Sequence, residues 1–140
     1  MFVVDASVFS SVIVKDEFYE RAKRFLLENS AFDLVTVDLA FIEAANVLWK
    51  HAFIHRRISR DTYGVLAKSL ESLIRTSCSK IYCACEVLSE AMKIALDLGI
   101  TVYDAIYVAL ALKHKCKIAS FDERLKSKLE ERRLDIIHLI

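Results

Sequence analysis

Four carboxylates are set where a protein rarely wastes a charge: Asp5 after the apolar run FVV, Glu43 within LAFIEAANVLW, Asp104 just before the apolar stretch 105–112, and Asp122 after KIAS. If they converge, they repel one another or take up protons unless a cation joins them. An all-oxygen, carboxylate-rich ligand set selects a hard divalent ion, Mg²⁺ or Mn²⁺, over Zn²⁺. Such an ion, held by carboxylates and water, serves phosphoryl transfer.

Each acid also has an ordinary reading. Thr101 with Asp104, and Ser120 with Glu123, have the spacing of a helix capping box, and the second leaves Asp122 in a first helical turn. Asp5 can cap the segment after it, and Ser7 is also placed for that task. Glu43 resists this treatment. At about 100° per residue it shares a narrow arc with Asn46 and Lys50 on an otherwise apolar helix, which predicts a buried helix with one polar stripe. The plain alternative is an internal Glu43–Lys50 pair. A buried carboxylate is costly unless paired or metal-bound, so the stripe is expected to face a wet or charged site.

The elements that must position these acids alternate. FVVD, FDLVTVD, KIYCA, CKIAS and DIIHL read as strands. Helices are predicted at ASVFSSVIV, DEFYERAKRFLLEN, 39–54, 59–76, VLSEAMKIALDLG (ended by Gly99), about 103–114 and DERLKSKLEERR. Apolar strands between helices predict a parallel sheet covered on both faces, with ligands beyond the carboxyl ends of the strands. Asp5, Asp38 and Asp122 fall at such ends.

The 140 residues are read as one domain, 1–140, and 55% hydrophobic content is enough for a core and for an interface besides. A net charge of +1 argues against a polyanion binder held by bulk charge. Any nucleic-acid contact must then be local or metal-assisted. The start, MFVVDASVF, is unlike a secretory signal, and no apolar run has the length of a membrane span, so a cytoplasmic protein is expected, with Cys78, Cys83, Cys85 and Cys116 as thiols. With no proline and two glycines, the turns are expected to rest on Asp, Asn and Ser.

VVDASVF, IEAANVLWK, TVYDAIYVALA and IASFDERL, in this order and spacing, resemble the four motifs of the PIN-domain ribonucleases, with the VapC-type toxins of bacterial and archaeal toxin–antitoxin pairs as the subgroup. The resemblance covers essentially the whole chain. It implies a three-layer α/β/α sandwich around a parallel five-stranded sheet of order 3-2-1-4-5. It implies an Mg²⁺- or Mn²⁺-dependent RNA endonuclease, with Asp5, Glu43, Asp104 and Asp122 as the acids of the site. Ser7, Asn46 and Ser120 match its supporting polar positions. It implies a small VapB-like antitoxin as partner, and a homodimer. The proline frequent before the second motif is absent here. Two other functions stay open: a housekeeping RNA-processing nuclease with the same site, and a catalytically silent binding module of the same fold.

Lys50, Arg56, Arg57 and Arg60 in KHAFIHRRISR can grip RNA phosphate or can be a solvated turn. Cys83 and Cys85 are placed along a strand, but the cysteine spacings match no common zinc pattern. The four histidines show no convergent spacing. Phe41, Trp49, Phe53, Tyr103 and Tyr107 exceed the needs of a small core, which leaves aromatic surface for a dimer or an antitoxin.

Overall fold

The computed structural model describes residues 1–29 and 31–140. Five short strands form one sheet: β1 (Phe2–Val4), β2 (Leu34–Val37), β3 (Lys80–Tyr82), β4 (Lys117–Ser120) and β5 (Ile137–Leu139). The order is β3-β2-β1-β4-β5 and every pair is parallel. Val3 pairs with Val35 on one side and Ile118 on the other, and Val4 with Ala119. Val35, Val37, Ile118 and Ala119 are buried because parallel strands bury both faces.

The helices are α1 (Ala6–Val14), α2 (Tyr19–Glu28), α3 (Leu39–Trp49), α4 (Arg60–Ser77), α5 (Leu88–Leu98), α6 (Val102–His114) and α7 (Glu123–Glu131). From β1 the chain steps to β2 and β3 in one direction. From β3 it returns to β4 and β5 in the other. Right-handed crossovers therefore put α1–α4 on one face and α5–α7 on the opposite one. The packing agrees: α1 lies against α2, α3 and α4, while α5 lies against α6.

Several predicted boundaries move for local reasons. The helix predicted from Asp16 begins at Tyr19, because the Asp16 carboxylate accepts from the Phe18 amide at 3.0 Å and turns the chain first. β2 begins at Leu34, after a 3₁₀ turn over Ala31–Asp33. α3 runs on through a π-helical turn, Lys50–Ile54. Cys83 and Cys85 lie past the end of β3, in and before the 3₁₀ turn Ala84–Glu86, both exposed. α3 is not buried all round, since Ile42, Asn46 and Trp49 face outward. Nor are the tight turns made only by Asp, Asn and Ser. Besides Gly99, which ends α5 at φ 63°, four left-handed positions among the described residues are held by Lys15, Arg56, Lys115 and Arg133. A left-handed residue with a Cβ costs about 1 kcal/mol. Lys15 and Lys115 close α1 and α6 with amide bonds to Ser11 and to Ala111 and Leu112.

No single helix among the described residues is long and apolar enough to cross a membrane. α6 is apolar because its residues 105–111 are buried, with the helix packed against β1 and β4.

Candidate active site

The strand order reverses between β1 and β4, which stay parallel. Connections there leave toward opposite faces, which opens a crevice at the carboxyl ends of the two strands. Asp5 follows β1 at this point, and its amide donates to Ala119 of β4 at 3.0 Å. It occupies the N-cap position of α1, yet its side chain makes no capping bond. Its Oδ2 instead accepts two hydroxyl protons at 2.6 Å, one from Ser7 and one from Ser120. Ser7 also accepts from the Phe121 amide at 3.3 Å, and Ser120 from the Asp122 amide at 3.0 Å. Those amides use the serine oxygens as acceptors, so both hydroxyl protons point to Asp5. The expectation that Ser7 caps a helix fails for this reason. So does the Ser120–Glu123 capping box, because Ser120 is the fully buried last residue of β4.

Burial raises the Asp5 pKa. The two serine hydroxyls pull it down, and Asp104 and Asp122 push it further up. Burial also raises Glu43, with Asp5 and Asp104 adding to the rise and a hydrogen bond from Tyr107 opposing it. Asp5 and Glu43 therefore each feel the charge of neighbouring acids. All four line one cleft of about 370 Å³, together with Asp16, Ser7 and the stacked rings of Phe18 and Phe121, whose centroids are 4.7 Å apart. No lysine or arginine is among its lining residues.

Glu43 reaches the cleft from α3. Its partner is Tyr107, whose hydroxyl donates to Oε2 at 2.7 Å, and not Lys50. Asn46 and Lys50 are exposed and outside the cleft lining, so the polar stripe divides, with Glu43 turned inward alone. Tyr107 is 2% exposed, and burial beside Asp5 and Glu43 pushes its pKa well up, which keeps it a proton donor. Its place in an apolar run hides it from a reading of the sequence alone. Its signal was being the one polar side chain between 105 and 112. Asp16 was missed too, with no motif to mark it.

The capping readings hold in part for the other two acids. Thr101 caps α6 by accepting from the Asp104 amide at 3.1 Å and donates to the Asp104 carboxylate at 2.8 Å. Asp122 caps α7 by accepting from the Leu125 amide at 2.8 Å. Both acids therefore cap or brace a helix start and line the cleft at once. The lining offers a hard cation what it prefers, several carboxylates and hydroxyls, with no basic side chain among the lining residues. Among the described residues, no three His, Cys, Asp or Glu side chains are already gathered at ligand spacing. The donor chemistry fits Mg²⁺ or Mn²⁺, while Asp104 and Asp122 are turned to their helices.

The basic turn lies close by. The His51 pKa is lowered by burial, by His55 and by Arg57, and raised in part by Asp16 of the cleft. Arg60 instead lines an apolar hollow with Trp49, Phe53 and Tyr63.

The sequence matches the family model described as PIN domain over residues 2–129. It is 41% identical over 128 residues to Ribonuclease VapC3 of Pyrobaculum aerophilum, covering 90% of this chain and 92% of that one. The crystal structure of PAE2754 from Pyrobaculum aerophilum superposes with a TM-score of 0.70 at 22% identity, over 99% of this chain and 87% of that one. That of Mycobacterium tuberculosis VapC20, a toxin that cleaves the sarcin-ricin loop, gives 0.68 at 15% identity, over 91% and 94%. At such identities the two structures speak for the fold.

Proposed function

Since the chain belongs to the PIN-domain family and to its VapC-type group, we propose that it is a metal-dependent endoribonuclease and the toxin of a toxin–antitoxin pair. The observation that carries this reading is the single cleft lined by Asp5, Glu43, Asp104 and Asp122 without a basic residue. Asp5, Asp104, Asp122 and Glu43 would hold Mg²⁺ or Mn²⁺. When bound, the ion lowers the pKa of water and takes up charge on the phosphoryl oxygens.

The protein's own part is positioning. Ser7 and Ser120 pin Asp5 by one oxygen, and among the described residues Oδ1 receives no hydrogen bond, so it is open to an occupant of the cleft. Tyr107 fixes Glu43, whose raised pKa suits a group that orients the attacking water and shares its proton. Hydrolysis leaves a 5′-phosphate and a 3′-hydroxyl. Lys50, Arg56 and Arg57, on the turn near Asp16, contact RNA phosphate.

A small VapB-like antitoxin is the partner that restrains the enzyme. Its arginine would pair with the acids bidentately. Its apolar side chains would meet the exposed Trp49 and Phe53, which stack with centroids 5.4 Å apart. A homodimer would cover the exposed Met92 and Leu96 of α5.

The test is cleavage of RNA with Mg²⁺, Mn²⁺ or EDTA, with the new 5′ ends sequenced. Metal-dependent cleavage leaving 5′-phosphates is expected, and co-expression with the neighbouring small open reading frame should block it. Full activity in EDTA with 2′,3′-cyclic phosphate products would sink the mechanism. Normal growth on expression alone, with no complex formed, would favour a housekeeping nuclease.

A further inference from the structure

A second hollow, of about 220 Å³, shares Asp104 and Asp122 with the acidic cleft and adds Thr101, Arg124 and Lys128. The two acids are thus the boundary between a cleft whose charged lining residues are all acids and a hollow that also carries cations. Arg124 and Lys128 stand one turn apart on α7, whose Leu125 and Leu129 are buried in the core. Of the three cations in α7, Lys126 pairs with Glu130 at 3.5 Å and Lys128 with Glu131 at 3.4 Å. Arg124 has no ion pair among the described residues and is exposed. Lys128 is offset by Glu131, and the hollow also carries Asp104 and Asp122, so Arg124 is the cation that, among the described residues, is left without an ion pair to meet an anion there. Arg124 and Lys128 line a concavity continuous with the acids that would act on a phosphate.

We propose that this hollow seats a backbone phosphate of the bound single strand next to the scissile one, gripped by the Arg124 fork and by Lys128 as a point charge. The inference rests on the ribonuclease reading above and adds where the strand runs. A strand whose scissile phosphate lies at Asp5 and Glu43 must pass out of the acidic cleft, and the hollow beyond Asp104 and Asp122 is one exit that offers positive charge. The guanidinium binds two phosphate oxygens at once, and the ammonium adds attraction without direction.

The experiment uses the full chain and a fluorescent single-stranded RNA oligonucleotide containing one mapped cleavage site. Arg124→Gln removes an exposed charge and Lys128→Gln a half-buried one with its Glu131 pair, and thermal midpoints verify that both variants fold. KM is expected to rise several-fold with kcat changed little. Binding to the Asp5→Asn background, read by anisotropy, should weaken alike, and the slope of log K against log salt should shrink by about 0.7 for each lost contact. Arg124→Lys should restore part of the affinity. Shortening the oligonucleotide by one nucleotide at a time should abolish the difference between wild type and Arg124→Gln when the flanking phosphate on one side is lost. Wild-type cleavage with unchanged binding and salt slope in the Arg124→Gln/Lys128→Gln double variant would overturn this inference and leave the nuclease reading standing. An equal Arg124→Gln deficit on every shortened oligonucleotide would overturn it too. Absence of any RNA cleavage by the wild type would bring down both.

Discussion

Asp5 and Asp38 occupy the same topological position, one residue past the end of adjacent parallel strands, and their surroundings could hardly differ more. Asp38 is exposed, and its carboxylate accepts from the Ala84 amide at 2.9 Å. Asp5 is held by two hydroxyls from different elements, its pKa is raised by burial, and two other acids push on it. The cause lies in the neighbours. β2 stands between β1 and β3, whose connections cross on the same face, and the turn after β3 closes over its end. β1 stands beside β4, where the connections part, so the rim stays open and α6 and α7 both begin beside it. A carboxylate at a strand end is an opportunity, and the strand order decides whether it becomes a site.

The sharpest break of this contrast is Asp5→Asn. Activity should fall by about 10²–10⁴-fold, the scale of a positioned acid, base or metal-holding group. The fold should survive, because the Asn carbonyl oxygen can accept both hydroxyl protons. A carboxyl raised from its ordinary 3.8 binds more protons folded than unfolded. Its contribution to stability is therefore greatest at low pH and is lost as pH rises through that window. In EDTA at neutral pH, the Asn variant should melt a few degrees higher than wild type. Added Mg²⁺ should raise the wild-type midpoint and not the variant's. Near-normal turnover would return Asp5 to the ordinary role of a strand-end residue like Asp38.

Tyr107→Phe comes next. Losing the hydroxyl that steadies Glu43 should cost about 10- to 100-fold in activity. The same bond lowers the Glu43 pKa, so its loss lets that pKa climb, and the acid limb of the pH–rate profile should move to higher pH. A profile that falls in height but does not move would make Tyr107 a packing residue only.

Thr101→Val separates the two duties of Asp104. It removes the N-cap of α6 and should cost about 1 kcal/mol in denaturant unfolding. Because Asp104 is then released from Thr101, turnover per folded molecule should change less than in Asp5→Asn. The smallest effect is expected for Asp38→Asn, since Asn accepts the Ala84 amide as well as Asp does. Stability should stay within about 0.5 kcal/mol and cleavage unaltered. A cleavage defect in Asp38→Asn would mean that the site extends along the rim to β2, and the contrast would dissolve.

How far the molecule could be read in advance depends on what kind of fact each residue encodes. FVV, LVTV and KIAS are mostly apolar because their strands are covered on both faces, and that is local information written in composition. The order of strands and helices, and the helix end at Gly99, were legible for the same reason. The motif order pointed to the four acids and to the family. Which of two physical roles an acid plays was not legible. Thr101–Asp104 and Ser120–Glu123 have the same spacing, yet one is a real cap and the other is not, because Ser120 lies in a strand with its hydroxyl aimed at an acid 115 residues away. Cys83 and Cys85 alternate as strand residues do, but the ladder ends one residue earlier, where β2 runs out of partners. Glu43, Asn46 and Lys50 share a helix face by periodicity alone. Only the reach of Tyr107 from α6 to Glu43 of α3 gives that acid a partner, and the other two are left in solvent. Local periodicity is a property of the chain. A hydrogen bond between distant elements exists only after the sheet has chosen its neighbours, and the pairing of β1 with β4 made that choice here.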